Sequence, residues 1–313
     1  MKTEHYFISD LHLFHKNVIR FTEDNYSHWP IKATHNDYRK CLGLTWKIPE
    51  TPKTIEEWNQ NIIDCWNAKV RDSDVVWVLG DISLKNIVDC MTLWETLASL
   101  NGQIRLIPGN HDNGFIDWIH KTNPDFVYEA RDGKDSNIPK KTKLVIYPPY
   151  VKTHIPLPNG QGSQKVILSH YPIFSFDSCG FDAIHLYGHI HNFYEQIEDY
   201  HNALDKSTFS YSNDKVAKPK AYNVGCMNPW MNYTPKSLYE IQATFSGEAV
   251  YDTLVSVNDY WEFYRKNNIY YWEKHSAKEQ NRIMLEWKEL AKDDSFFAEM
   301  LKDFRKNVMG VEE

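Results

Sequence analysis

His5–His12 reads HYFISDLH. An aromatic and apolar run leads straight into a serine, a carboxylate and an imidazole. Runs of this length and type are buried-strand candidates. Their polar residues then fall at the strand end, on a loop that a rigid sheet presents. The same pattern returns along the chain. Val75–Leu79 (VVWVL) ends at Gly80-Asp81, and Ile104–Ile107 (IRLI) leads through Pro108 to Gly109-Asn110-His111-Asp112. Val166–Ser169 (VILS) ends at His170, and Ala183–Tyr187 (AIHLY) ends at Gly188-His189.

Two helices are expected between these strands. Thr54-Ile55-Glu56-Glu57 has the form of a capping box, with Trp58, Ile62, Cys65 and Trp66 following at helical spacing. A second helix is predicted from about Asn86 to Asn101, with Ile87, Cys90, Met91, Trp94, Leu97 and Ala98 on one face and Gly102 as its stop. Strand–helix–strand order indicates an α/β layered core. After Gly114 the pattern changes. Phe126–Glu129, Lys143–Tyr147, Val151–His154, Ala221–Val224 and Leu238–Thr244 read as strands without intervening helices, which predicts antiparallel pairing in a second sheet. Thr22–Lys53 reads as an irregular segment, a candidate active-site flap. From Val257 the chain is helical and charged, with apolar stripes such as Ile283/Trp287/Leu290. The expected architecture is an α/β two-sheet sandwich flanked by helices over residues 1–256, with a C-terminal helical extension at 257–313.

Composition bounds the function. The 313 residues are 42% hydrophobic and 25% charged, a globular balance that excludes wholesale disorder. A formal net charge of -7 opposes a nucleic-acid backbone or an anionic membrane unless a local basic patch intervenes. No apolar run approaches the ~20 residues a membrane span needs. Met1–His5 leads directly into the first strand without a signal-peptide core, and the five scattered cysteines form no CxxC pair. Both features predict a cytoplasmic protein with reduced thiols.

Five short motifs carry the chemistry: Asp10-Leu11-His12, Gly80-Asp81, Gly109-Asn110-His111-Asp112, Ser169-His170 and Gly188-His189-Ile190-His191. Ionisable groups gathered at strand ends are expensive to bury unless paired or metal-bound. In an extended segment, residues two apart point the same way, so Asp10 and His12, and likewise His189 and His191, can reach one site. Gly80, Gly109 and Gly188 precede ligand candidates and are expected to make tight turns. The donors are carboxylate, imidazole and amide with no thiolate, which suits Mn, Fe or Zn. They are numerous enough for two ions sharing one carboxylate. Such a centre attracts phosphate oxygens and lowers the pKa of a bound water toward ~7.

With these residues in place the chain resembles the calcineurin-like metallophosphoesterases. The signature D-x-H, G-D, G-N-H-D/E, H and G-H-x-H runs in order from Asp10 to His191. Phe7–Phe21 (FISDLHLFHKNVIRF), His170-Tyr171-Pro172-Ile173 and Asn223-Val224-Gly225, followed by Pro235 and Ser237-Leu238, resemble a group of small bacterial and phage phosphoesterases. Thr22–Lys53 and the helices after Val257 lie outside the likeness. The resemblance implies that Asp10, His12 and His191 hold one divalent ion, that Asp81 bridges, and that Asn110, His170 and His189 hold the other, with Mn favoured. It implies that His111 faces the leaving group as general acid or cationic stabiliser, with Asp112 as a candidate to orient it or a structural residue. His15, Asn17 and Arg20 are candidates to contact phosphate.

The serine/threonine phosphatase branch carries Asp-Arg soon after its Gly-Asp. Here Ile82-Ser83-Leu84-Lys85 follows Asp81, so a phosphoprotein substrate is disfavoured. The expected substrate is a small phosphodiester or nucleotide-like ester, with Trp29, Trp46 or Tyr171 available to stack on a base. A monoesterase, a nuclease on the same scaffold, or a non-catalytic binding module are the alternatives. The oligomeric state is left open.

Overall fold

The computed structural model describes residues 3–28, 49–84, 88–122, 126–130, 138–157, 162–206, 209–210, 216–217 and 219–246. All of them fall in the first of the two units into which the chain divides, Met1–Val250. The C-terminal stripes, Trp29, Trp46 and most of the expected flap therefore lie outside the described residues.

The first sheet holds β1 (His5–Ile8), β2 (Val75–Val78), β3 (Gln103–Leu106), β4 (Val127–Glu129), β5 (Leu144–Ile146) and, near the end of the described chain, β12 (Lys236–Ser237). Its order is β12-β1-β2-β3-β5-β4, parallel throughout except for β12. The central strand β2, VVWV, is buried at every position, as a parallel strand covered on both faces must be. The second sheet runs β11-β8-β7-β6, from β6 (Tyr150–Pro156), β7 (Ser163–Ser169), β8 (Ile184–Tyr187) and β11 (Lys220–Asn223). A two-residue antiparallel pair, β9 (Phe209–Ser210) with β10 (Val216–Ala217), stands apart. The helices are α1 (Asn17–Ser27), α2 (Ile55–Lys69), α3 (Cys90–Ser99), α4 (Asn113–Thr122), α5 (Tyr194–Lys206) and α6 (Leu238–Ser246). None among the described residues is long and apolar enough to cross a membrane.

One apolar core takes side chains from both sheets, among them Phe7, Trp77, Leu106, Leu168 and Leu186. The sheets are also tied through the backbone. Ser9, just past β1, donates to Val224 O at 2.8 Å and accepts from Cys226 N at 2.8 Å. The sandwich is thus closed beside Asp10. The capping box at Thr54 is present: its side chain accepts from Glu57 N. Trp58, Ile62 and Trp66 of α2 are fully buried. The Trp58 indole N–H donates to Leu11 O at 2.9 Å, so this helix holds the Asp10–His12 loop from behind.

Several expectations change. The strands after Gly114 do not form a separate antiparallel sheet. β4 and β5 extend the first sheet in parallel, and in the second sheet only β6 with β7 is antiparallel. Part of the reason is two helices, α4 between β3 and β4 and α5 between β8 and β11. α4 buries only Phe115 and Ile119, and α5 is rich in charge. Leu238–Thr244 is helical rather than a strand. Ser237 and Glu240 exchange capping-box hydrogen bonds, Ser237 N to Glu240 Oε2 at 2.6 Å and Glu240 N to Ser237 Oγ at 3.2 Å, a signal present in the sequence. Residues 22–27, expected to be irregular, continue α1; the helix buries Thr22 and Asn25 beside Val18 and Tyr26, so its inner face does not read as apolar. α3 starts at Cys90, capped by the Asp89 side chain on Thr92 N. It buries Leu93 and Leu97 and leaves Met91 and Ala98 outside.

Candidate metal centre

Every predicted ligand sits on a loop just beyond a strand, where parallel strands release the chain on the same edge. These loops are strained. Of the ten non-glycine residues with positive φ among those described, five are Asp10, His12, Asp81, His189 and His191, at φ between 44° and 69°. A left-handed conformation disfavours L side chains and persists only where surrounding structure enforces it. The enforcement is visible. Asp10 N donates to Gly80 O at 3.0 Å and His12 N to Asp81 O at 3.1 Å. The extended alternation expected for Asp10/His12 and His189/His191 is therefore absent. The pairs reach one site because each residue is turned left-handed.

The glycines also act differently from expectation. Gly80, at φ +85°, serves a turn. Gly109 and Gly188 instead allow close approach. A Cβ on Gly188 would lie 2.0 Å from Ser9 Oγ and 2.4 Å from Asp10 Oδ2, and one on Gly109 would lie 2.3 Å from Asp81 Oδ1.

Asp10, His12, Asp81 and His191 each offer a ligand atom, all within 4.8 Å of one another. His12 Nε2 faces His191 Nε2 at 2.9 Å, and His191 Nε2 is 3.6 Å from Asp10 Oδ1. Beyond Asp81, its Oδ2 lies 3.4 Å from His170 Nε2, which in turn is 3.0 Å from Asn110 Oδ1. His170 Nδ1–H donates to Leu79 O at 2.7 Å, leaving Nε2 directed at the site. The His189 ring stands 5.1 Å from the His170 ring. Asp10, His12, Asp81 and His170 are buried, whereas Asn110 and His189 are exposed.

Electrostatics follow from this crowding. Burial pushes the Asp10 carboxyl up to about 6, and the neighbouring Asp81 adds to the rise. Burial and His191 hold His12 well below the usual imidazole range, and burial brings His191 to about 4. Burial works against the charged form of His170 too, but Asp81 and Asp10 outweigh it and raise the ring to about 9. Two neutral imidazoles face each other, His12 Nδ1 is buried without a partner, and two buried carboxylates adjoin them. Neutral imidazole and ionised carboxylate are the ligand forms of these side chains. A set with oxygen and nitrogen donors and no thiolate fits a divalent ion of the Mn, Fe or Zn type.

His111 is half-exposed at the mouth. Its backbone N–H donates to Asp81 Oδ1 at 3.0 Å, and its Nε2 is 3.9 Å from Asp81 Oδ2. Asp112 does not orient it. That buried carboxylate accepts from Gly109 N at 2.7 Å, Asp81 N at 2.8 Å and Ile82 N at 2.9 Å, and so ties the second and third loops together. His15 is buried, its ring 5.8 Å from that of His12. Asn17 and Arg20 lie exposed on α1, where the Arg20 guanidinium sits 5.1 Å from the Phe21 ring centre. Sequence reasoning missed the residues that hold the last loop. Asn223 donates to His191 O at 2.8 Å, and Asn192 accepts from Asn25 at 2.8 Å and donates to Thr22 O at 3.1 Å. In the sequence Asn223 reads only as part of a flank, and buried asparagines carry no local pattern.

Residues 6–193 match the family model described as calcineurin-like phosphoesterase. An uncharacterized protein of Methanocaldococcus jannaschii is 34% identical over 108 residues, 34% of this chain and 46% of that protein. The Gene 66 protein of Mycobacterium phage D29 is 30% identical over 112 residues, 36% of this chain and 50% of that protein. The chain thus spans about half the length of the curated relatives it matches. A protein of unknown function from Aquifex aeolicus, of known crystal structure, is 19% identical with a TM-score of 0.40, covering 77% of this chain and 98% of its own.

Proposed function

The chain belongs to the calcineurin-like phosphoesterase family, and on that premise we propose that it hydrolyses a small, nucleotide-like phosphodiester with two divalent metal ions. The observation that carries this reading is the place of Asp81. It is a member of the four-residue ligand cluster and at the same time 3.4 Å from His170, on the Asn110 side. Asp10, His12 and His191 would hold one ion, Asn110, His170 and His189 the other, and Asp81 both. When bound, the ions would supply Lewis acidity toward the phosphate oxygens and an activated water.

The protein's own groups have separable tasks. Asp112 and the Asp10–His189 amide contact, 3.1 Å to each carboxylate oxygen, keep the ligand loops in register. His111, at the open edge, would give a proton to the departing alkoxide. Ile82 is fully buried with its N–H taken by Asp112, and no arginine stands in the Ile82-Ser83-Leu84-Lys85 that follows Asp81. That supports a small diester over a phosphoprotein. The net charge of -7 supports it over long nucleic acid, and we place the protein in the cytoplasm.

The test is metal analysis of protein purified without chelator, joined to a manganese-supplemented assay. About two transition-metal ions per chain are expected, with bis(p-nitrophenyl) phosphate cleaved in preference to a phosphoserine peptide. Substoichiometric metal would instead favour a binding scaffold, and preferential peptide hydrolysis would reverse the substrate assignment.

A further inference from the structure

Three aromatic rings stand exposed near the candidate metal centre; two of them contact its histidines, and the third reaches it through His15. Tyr171, 46% exposed, lies 4.5 Å from the His189 ring at 62°. Phe193, 38% exposed, is stacked against His191, 6.4 Å between centres and 17° between planes. Phe21, 40% exposed, stands 6.2 Å from His15, whose ring is 5.8 Å from that of His12. Exposed apolar residues scattered singly need no explanation. These are not scattered: of nine exposed large hydrophobic residues among those described, two contact ligand histidines and a third contacts His15 beside His12. They also come from three separate parts of the chain, α1, the loop after β7 and the loop before α5.

Two of the three are held in place. The Tyr171 loop is clamped at Ile173, whose N–H donates to His185 Nε2 at 3.1 Å and whose carbonyl accepts from Tyr200 Oη at 2.8 Å. α1, which carries Phe21, is pinned by Asn25 to Asn192 and by the Tyr26 hydroxyl to Met227 O. Rigid, half-exposed rings offer a π-face at little conformational cost. An aliphatic tail would need a continuous apolar trough, whereas here the exposed rings alternate with imidazoles.

We propose that Tyr171, Phe193 and Phe21 form an aromatic rim that binds the nucleobase of the substrate by stacking. This rests on the phosphodiesterase reading above and narrows its substrate to nucleotide esters. A base stacked on a protein aromatic tightens binding roughly 5- to 150-fold.

The experiment compares ligands differing only in the base. Calorimetry on the full-length, metal-loaded protein should show AMP binding at least fivefold tighter than ribose 5-phosphate. Phosphorus NMR should show the methyl ester of AMP cleaved with a KM lower by a similar factor than the methyl ester of ribose 5-phosphate. Tyr171→Leu and Phe193→Leu keep apolar bulk but lose the π-face, and should remove most of the preference; Tyr171→Phe should retain it. Equal affinity for the two phosphates overturns the proposal, as does a preference that survives both leucine variants or tighter binding of octyl phosphate than of AMP. Binding with the expected preference but no ester hydrolysis would sustain the rim and sink the catalytic reading. Hydrolysis of diesters without any base preference would do the reverse.

Discussion

The first sheet ends in carboxylates and the second in imidazoles. β1 and β2 deliver Asp10 and Asp81, and β3 leads to Asn110 and Asp112, with His12 the one imidazole among the expected ligands on this side. β7 and β8 deliver His170, His189 and His191. On the first sheet the acids crowd one another, and burial with Asp81 nearby raises Asp10 to about 6. On the second, burial strips protons from His191 and lowers His189. The opposed tendencies meet where the sheets dock. There His170 and Asp81 pair, and the His189 amide caps Asp10. The lesson is that the candidate metal centre belongs to the seam, so changes at the seam should reach both halves, while changes within one sheet stay local.

The severest break is Asp81→Asn, which removes the charge shared by both halves. Both ions should be lost or weakened, and activity should fall beyond the roughly 10–100-fold that losing an outer-shell partner costs. Full metal content by elemental analysis, with normal turnover, would mean the halves do not share a ligand. Next comes His111→Ala, which removes no expected ligand, its Nε2 standing 3.9 Å from Asp81 Oδ2. It should retain metal and slow alkyl esters by about 10²–10⁴-fold, with a smaller effect on nitrophenyl esters, whose leaving group needs no proton. Metal loss equal to that of His170→Ala would make His111 a ligand.

The imidazole-rich sheet should also be the acid-sensitive one. His185 on β8 is buried and satisfied as a neutral ring, accepting from Ile173 N and donating to Ile167 O. Burial lowers its pKa from 6.5 to about 4. Above pH 6.5 it is neutral in both folded and unfolded chains and costs nothing. Between pH 6.5 and 4 the unfolded chain takes up the proton first, so stability falls by up to about 3 kcal/mol. Urea titrations across that window should show a shallower decline for His185→Gln than for the parent; equal slopes would place the acid sensitivity elsewhere. The last test is steric and sits at the seam. Gly188→Ala puts a methyl against Ser9 and Asp10. An overpacking cost of about 1–3 kcal/mol should appear in melts, together with weaker metal retention. Lost stability with unchanged metal binding would show that the seam tolerates separation without disturbing the ligands.

Much of this was legible in the chain. HYFIS, VVWVL, IRLI, VILS and AIHLY are all strands, and each is followed by the expected ligand residues. Such short, densely apolar runs ending in polar residues have few other interpretations. The crossovers were harder. α4 and α5 are short on buried apolar residues, Phe115 and Ile119 in one and Ile197 and Leu204 in the other, and the strands around them read as neighbours in an antiparallel sheet. The Ser237–Glu240 capping box could have been found; the apolar residues after it mimicked a strand.

For this protein the sequence by itself determined the donor chemistry, the order of the ligands and their placement at strand ends, because apolar runs and polar breaks are local properties of a chain. Tertiary structure alone decided that Asp112 ties loops rather than orienting His111, that Gly188 makes room for Asp10, and that Tyr171 and Phe193 each stand against a histidine of the last loops. Those facts depend on residues as far apart as 12 and 191 coming within 2.9 Å. Only the docking of two sheets brings such residues together, and no local pattern records which strand ends will meet.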